Sequence, residues 1–281
     1  MQSKNKPTKI ISPGHNACAG CGQLVSVRAV ARALDKSTII VNATGCLEVT
    51  TTAYPYSAWG VPWIHSLFEN AAPVASGVLA ALRQKGDRKT KVVVQAGDGA
   101  TFDISFGMIS GMWQRGEDIT YVCYDTEGYS NTGFQASGAA SLKKDGSILP
   151  KKDLIAIALA HGLNYVAQST AGYVDDITKK MKKALETPGP SYLQILSPCM
   201  PGWKIAPDQA VNLGKLAVQT GLYPLLEFAN GKLVSSSLKK DSHLKPVESY
   251  LLAQGRFKEM SEKKIDYFRQ IADNSARRYS L

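Results

Sequence analysis

Nowhere in this 281-residue sequence do about 18 apolar residues run together, so no membrane-spanning helix is expected. The N-terminus, MQSKNKPTKI, lacks the apolar block of an export signal, which points to a cytoplasmic protein. Cysteine is scarce and odd in number: five residues, in a chain without an export signal, speak against a disulfide framework and for metal or redox chemistry. The four histidines are scattered at 15, 65, 161 and 243. His161, closing a helix, reads as a capping or surface residue, while His15 and His65 sit in motif loops and are candidates to line the site. No basic cluster interleaved with aromatics occurs, so nucleic acid is not an expected partner, and no internal repeat is visible. What remains is ordinary for a globular chain, with 44% apolar and 20% charged residues. The net charge of +10 is spread along the sequence and reads as solvated surface; if it has a use, it is to steer an acidic protein partner.

The most informative stretch is Lys91 to Thr132, KVVVQAGDGATFDISFGMISGMWQRGEDITYVCYDTEGYSNT. A β-branched run, Val92-Val93-Val94, drops into Gly97-Asp98-Gly99. Phe102, Phe106, Ile109 and Trp113 then recur at helical spacing until Gly116. A second apolar run, Ile119 to Tyr124, ends in a polar loop bearing Asp125, Thr126, Gly128 and Asn131. This predicts one βαβ unit with hard oxygen donors at the ends of both strands. Asp-Gly is also the usual dipeptide of a hairpin turn, but a helical pattern rather than a partner strand follows it. Glycines beside Asp98 let backbone N–H groups approach a ligand, and the next helix turns its positive end toward an anion. Asp98 supplies the carboxylate that Mg²⁺ prefers, an ion that usually shares its shell with phosphates and waters. Thr126, Asn131 and the Gly128 carbonyl could add oxygens. The expectation is a metal–diphosphate site.

Cys18 and Cys21 are separated by two residues, with Gly20 and Gly22 around them. Such a pair is ambiguous between a dithiol, half a zinc site and half an iron–sulfur site. Cys46 and Cys199 lack a second paired motif, so zinc-ribbon spacing fails. Cys123 lies inside the second apolar run and reads as a small buried hydrophobe.

Elsewhere the sequence predicts a polar arm at 1–12, helices over 23–34 and 70–83, a strand over 37–41 and an aromatic loop over 53–64. Beyond an exposed loop at 133–150 come a helix at 153–160, a strand at 165–168, a helix at 174–185 and a strand at 191–196. This alternation argues for an α/β fold, a parallel sheet with helices on both faces, occupying residues 1–203. Past Trp203 the alternation stops: one helix over 209–220, an irregular polar stretch over 229–245 and a basic helical end form a C-terminal extension, 204–281. Cys46, Asp98, Thr126 and Cys199 each follow a predicted strand, which in a parallel sheet puts them on the carboxyl edge, where open α/β sheets bind ligands.

GDG…YDTEGYSNT closely resembles the thiamine-diphosphate motif in β subunits of 2-oxoacid:ferredoxin oxidoreductases of the pyruvate type. The resemblance extends through HNACAGCGQ, NATGC, PWIHSLFENAAPVASG, SPC, GLYPLLEFANGK and LLAQGRF, nearly the whole chain. It implies that Asp98, Thr126 and the Gly128 carbonyl coordinate Mg²⁺, and that Asn131 lies near the thiazolium and substrate. Thr44, Gly45, Cys46, Gly97 and Gly99 complete the implied cofactor contacts. Cys18, Cys21, Cys46 and Cys199 fall where the family's proximal [4Fe–4S] ligands do. A thiamine-bound carbanion oxidised without lipoamide or flavin needs a nearby electron acceptor, which a cluster provides; zinc does not. No carboxylate for the aminopyrimidine ring can be assigned, Glu48 and Glu69 being unmarked, so the family implies that another subunit supplies it. Implied partners are therefore the other oxidoreductase subunits (α, γ and δ type), ferredoxin, a 2-oxoacid and CoA. The extension reads as either a tail packed on its own domain or an arm around a neighbouring subunit, and the resemblance favours the arm. Ser137-Gly138-Ala139-Ala140-Ser141 stands where pyruvate-specific relatives commonly have Ser-Ala-Thr-Pro, Gln23 replaces a usual Glu, and Met200-Pro201 a usual Pro-Thr. Pyruvate remains the expected substrate, with oxalate as an alternative that would not need CoA. Two other classes are a non-oxidative thiamine decarboxylase or synthase and a zinc-bearing binding module.

Overall fold

The computed structural model describes residues 10–143, 145–240 and 243–281. Most of the arm expected at 1–12 lies outside them, but its end is anchored: Ile10 and Ile11 are buried, and Ile11 bridges to Trp59. The chain then runs α1 (Gly22–Ala31), β1 (Ile39–Ala43), α2 (Cys46–Thr51), β2 (Trp63–Ser66), α3 (Ala71–Gln84) and β3 (Val92–Gly97). A π-helical turn, Gly99–Ile104, leads into α4 (Phe106–Gln114), then β4 (Ile119–Asp125), α5 (Leu154–Ala160), β5 (Tyr165–Thr170), α6 (Val174–Glu186) and β6 (Ser191–Leu196). After these come α7 (Met200–Trp203), α8 (Ala210–Gln219), β7 (Leu226–Ala229), β8 (Lys232–Ser236), α9 (Glu248–Leu251) and α10 (Glu262–Tyr279).

Among the described residues the sheet has eight strands in the order β2-β1-β3-β4-β6-β5-β7-β8. The first six are parallel and the last two form an antiparallel hairpin. The apolar runs explain the centre. Every residue of β4 and β6 is buried, as a strand covered on both faces requires. Side chains alternate between two cores. Val92, Val94, Tyr121 and Cys123 face Leu79, Ile109 and Trp113 of α3 and α4. Val93, Val122, Leu193 and Ile195 face Val27, Val30, Ile177 and Met181 of α1 and α6. Gly116, at φ +66°, ends α4 as expected, and the hairpin alternative for Asp98-Gly99 does not occur.

Three expectations are corrected. The aromatic loop at 53–64 hides the start of β2, a short, half-exposed edge strand whose alternation is masked by its brevity. Residues 229–245 are not irregular throughout, since β8 pairs with β7 at the other edge; its exposed polar residues face solvent, so no apolar run announces it. The 133–150 segment is not simply exposed, because Ser137, Ala139, Ala140 and Ser141 are buried. Within residues 204–281, Leu213, Tyr250, Leu251, Phe257 and Phe268 share a core with Leu196 and Trp203 of the preceding region. No helix of the described residues is long and apolar enough to cross a membrane.

The strand order places the site. From β1 the chain moves outward to β2; from β3 it moves the other way to β4. Loops leaving neighbouring strands in opposite directions open a crevice at their carboxyl ends. That crevice lies between the segment after Ala43 and the segment after Gly97.

Candidate active site

Asp98 sits at the centre of this rim and is only 1% exposed. Its Oδ1 accepts from the Thr126 amide (3.0 Å) and hydroxyl (2.9 Å), and its Oδ2 from the Gly128 amide (2.7 Å) and the Ser137 hydroxyl. The Thr126 hydroxyl is also 3.0 Å from the Gly128 carbonyl oxygen. A carboxylate, a hydroxyl and a carbonyl are thus gathered at one point, an all-oxygen set of the kind Mg²⁺ uses. Burial, then the nearby Asp125 carboxylate, pushes Asp98 up to about 7 against these hydrogen bonds. Asp125 is paired with Lys151 at 3.2 Å, whereas among the described residues no Lys, Arg or His pairs with Asp98, and a divalent cation would supply that charge. The donor set fits the ion.

A cleft open to solvent lies beside Asp98. It takes Thr44, Gly45 and Cys46 from the loop after β1, Gly97, Asp98 and Gly99 from after β3, and Thr126, Gly128 and Asn131 from after β4. Sequence reasoning named each of these. It missed Ser137, which no local pattern marks, and Gln23 and Asn42, which also line the wall. Asn42 was legible in principle as a polar residue closing an apolar strand; its Oδ1 is buried without a partner. The two glycines differ in use. A Cβ on Gly97 would meet open space, leaving the backbone free toward the cleft, whereas one on Gly99 would lie 2.5 Å from the Tyr129 ring. Tyr129 is tied down by donating to Asp103 Oδ2 (2.9 Å). Gly99→Ala therefore forces that ring aside. It is expected to destabilise the chain by about 1–3 kcal/mol, read as a lowered denaturant midpoint with an unchanged slope.

The cysteines line a second cleft, against the first. Cys18, Cys21, Cys46 and Cys199 all border it, and Cys46, Thr126 and Ser130 border both. Two contacts bring residues 18–21 to residue 199. The Gly22 amide donates to Pro198 O (3.2 Å), and the hydroxyls of Ser26 and Ser197 are 2.9 Å apart. A Cβ on Gly22 would lie 2.6 Å from Pro198 O, so the glycine permits the approach. All five cysteines are free thiols. Burial, followed by the charges of Cys199, Cys21 and Cys18, pushes the Cys46 thiol up to about 12; Cys21 is raised by burial and by Cys199 and Cys18. Thiols that impede one another's ionisation suit a metal centre, where cationic iron would offset the thiolates. In the arrangement seen, no three His, Cys, Asp or Glu side chains among the described residues converge closely enough for a single metal ion. The thiols surround a space rather than a point.

Asn131, on the short 3₁₀ turn Ser130–Thr132, reaches 3.9 Å from Cys46 Sγ with its Oδ1. It does not join the Asp98 oxygens. His65 Nε2 is 2.8 Å from the Thr44 hydroxyl, and His15 Nδ1 is buried without a partner. His161 caps α5, and Cys123 is fully buried in β4.

An open α/β sheet with an acid–glycine turn at its switch point and an oxygen cage on the next strand defines a diphosphate-binding class of protein. The family profile described as "Thiamine pyrophosphate enzyme, C-terminal TPP binding domain" matches residues 43–195. The chain is similar to pyruvate synthase subunit PorB of Methanocaldococcus jannaschii, at 42% identity over 96% of each chain. It resembles the subunit of that name from Methanothermobacter thermautotrophicus at 44% identity, covering 95% of this chain and 96% of the other. Ketoisovalerate oxidoreductase subunit VorB of Pyrococcus abyssi is 37% identical, covering 90% and 86%. Among solved structures, a 2-oxoglutarate:ferredoxin oxidoreductase from Magnetococcus marinus superposes with a TM-score of 0.61 at 28% identity, covering 70% of this chain and 69% of that one. The chain belongs to the thiamine-diphosphate-binding β subunits of the 2-oxoacid:ferredoxin oxidoreductases.

Proposed function

We propose that this subunit holds thiamine diphosphate through Mg²⁺ at Asp98, Thr126 and the Gly128 carbonyl, and a [4Fe–4S] cluster on Cys18, Cys21, Cys46 and Cys199. With partner subunits in the cytoplasm, it oxidatively decarboxylates a 2-oxoacid, pyruvate in the first place, transfers the acyl group to CoA and reduces ferredoxin. The observation that carries this reading is the shared wall: Cys46 borders both clefts and lies 3.9 Å from Asn131. A cluster held by these thiols would supply an electron acceptor bordering the cleft that would hold the coenzyme.

When bound, the coenzyme supplies carbanion stabilisation and the cluster a one-electron acceptor. The chain's own residues position and shield. Asp98, Thr126 and Gly128 anchor the diphosphate end. Asn131, exposed at the mouth, orients the substrate by hydrogen bonding. Leu47 and Phe68 give the cleft apolar walls that exclude water. The aminopyrimidine-side carboxylate comes from a partner subunit, and the outer face of residues 204–281 contacts one. Pyruvate is supported by the names of several relatives, while the VorB likeness and the Ser137–Ser141 departure make the substrate the first thing to test.

The test is anaerobic purification of the assembled complex. A brown, dithionite-bleachable protein with about four irons from this subunit and CoA-dependent oxidation of pyruvate is expected from a panel that includes oxalate and branched-chain acids. A colourless protein containing thiamine diphosphate, or one containing zinc and none, refutes the proposal.

A further inference from the structure

The segment Leu251 to Phe257, LLAQGRF, has no part in the reading above, yet it touches the loop on which that reading depends. Glu127 lies between Thr126 and Gly128, and its backbone has φ +58°, a conformation side-chain-bearing residues rarely adopt. The Arg256 guanidinium donates to Glu127 Oε2 at 2.6 Å. Lys151 donates to the other oxygen at 3.3 Å but is shared with Asp125, at 3.2 Å. Arg256 also stacks 3.8 Å from the Trp203 ring centroid, and Trp203 Nε1 donates to the Thr126 carbonyl at 2.8 Å. Its own orientation is set by Gln254, which is buried and whose Oε1 accepts from Arg256 Nε at 2.8 Å. Gly255 lets the turn lie against the residue after Trp203: its amide donates to Lys204 O (3.2 Å), and a Cβ there would be 2.7 Å from Lys204 Cβ. One side chain from the C-terminal extension thus holds Glu127 directly and reaches Thr126 through the Trp203 indole.

We infer that Arg256 is a positioning residue of the cofactor site, fixing the Thr126–Gly128 loop through Glu127 and Trp203 so that the threonine hydroxyl and glycine carbonyl point at the metal. This rests on the reading that Asp98, Thr126 and Gly128 hold Mg²⁺. The extension then serves the coenzyme as well as closing the fold. The competing account is an ion pair that merely pins the tail, and it predicts lost stability without any change in metal dependence.

The test uses the assembled complex stripped of coenzyme, with thiamine diphosphate binding followed by equilibrium dialysis across a series of Mg²⁺ concentrations. Arg256→Met is expected to raise the Mg²⁺ concentration for half-saturation about tenfold or more, the usual scale for removing an outer-shell partner of a metal site, with binding recovered at high Mg²⁺. Arg256→Lys keeps the charge but loses the planar fork and stack, so it is expected to fall between Met and wild type. Glu127→Gln is expected to act in the same direction, and the Arg256→Met, Glu127→Gln pair to cost no more than the larger single change, because both remove one contact. Asp98→Asn is the reference. If it abolishes Mg²⁺-dependent binding while Arg256→Met and Glu127→Gln stay within about twofold of wild type and only melt earlier, the inference is overturned and the metal site stands. If Asp98→Asn also leaves Mg²⁺ dependence unchanged, the metal site itself is wrong and the inference falls with it. Should Arg256→Met fail to assemble, Glu127→Gln decides between the same outcomes.

Discussion

Asp98→Asn in the assembled enzyme is expected to remove thiamine diphosphate binding at millimolar Mg²⁺. Oxidation of 2-oxoacid should fall by more than the roughly 100-fold that loss of an outer-shell partner can cost at a metal site. Asp98 is buried, and it accepts from both Thr126 and Gly128, the two neighbours that complete the oxygen set. An amide offers one acceptor oxygen and a competing N–H₂, so it loses the ionic attraction and meets the Gly128 or Thr126 amide donor to donor. Two failures therefore arise from one change. The measurement is coenzyme retained after gel filtration, alongside initial rates; full retention with unimpaired turnover would contradict the site.

The second large effect concerns electron transfer rather than coenzyme. Cys46→Ala is expected to drop the iron bound by this subunit from about four toward zero and to abolish reduction of ferredoxin. Thiamine diphosphate should remain bound, because Asp98, Thr126 and Gly128 are untouched. Cys123→Ser is the control. That residue is fully buried among apolar neighbours of β4, so its hydroxyl should cost stability and leave the iron unchanged. Iron retained by Cys46→Ala, with the visible spectrum intact, would remove Cys46 from the ligand set.

How much of this was legible depended on whether chemistry and periodicity spoke from the same residues. Val92 to Val94, Gly97 to Gly99 and Ile119 to Asn131 announced strand, turn and polar loop because buried parallel strands read as apolar runs and a turn at a ligand site needs glycine. The convergence of Asp98, Thr126, Cys46 and Cys199 on one rim followed from strand polarity alone, and the structure bears it out. Ser137 stood out only as part of a run that departs from the family, and its contact with Asp98 was not legible: it lies in a Gly-, Ser- and Lys-rich segment that reads as solvated loop, and only the folded chain brings its hydroxyl to Asp98. β2 and β8 were missed for a related reason, since edge strands bury one face and leave too short a pattern. Arg256 was visible only as part of a family string. Its contact with Glu127 spans 129 positions of sequence, and no local rule reaches that far.

The meeting of residues 18–21 with residue 199 has a consequence for biogenesis. Those thiols flank the six parallel strands in sequence, and the contacts of Gly22 and Ser26 with the turn after the sixth strand bring them together. A nascent polypeptide still on the ribosome has no such chamber until nearly three-quarters of its length has emerged and the central sheet has closed. Loading of the proposed cluster would therefore have to follow emergence of Cys199, and a truncation just before Pro198, which removes that thiol, would yield a chain without the four-thiol chamber.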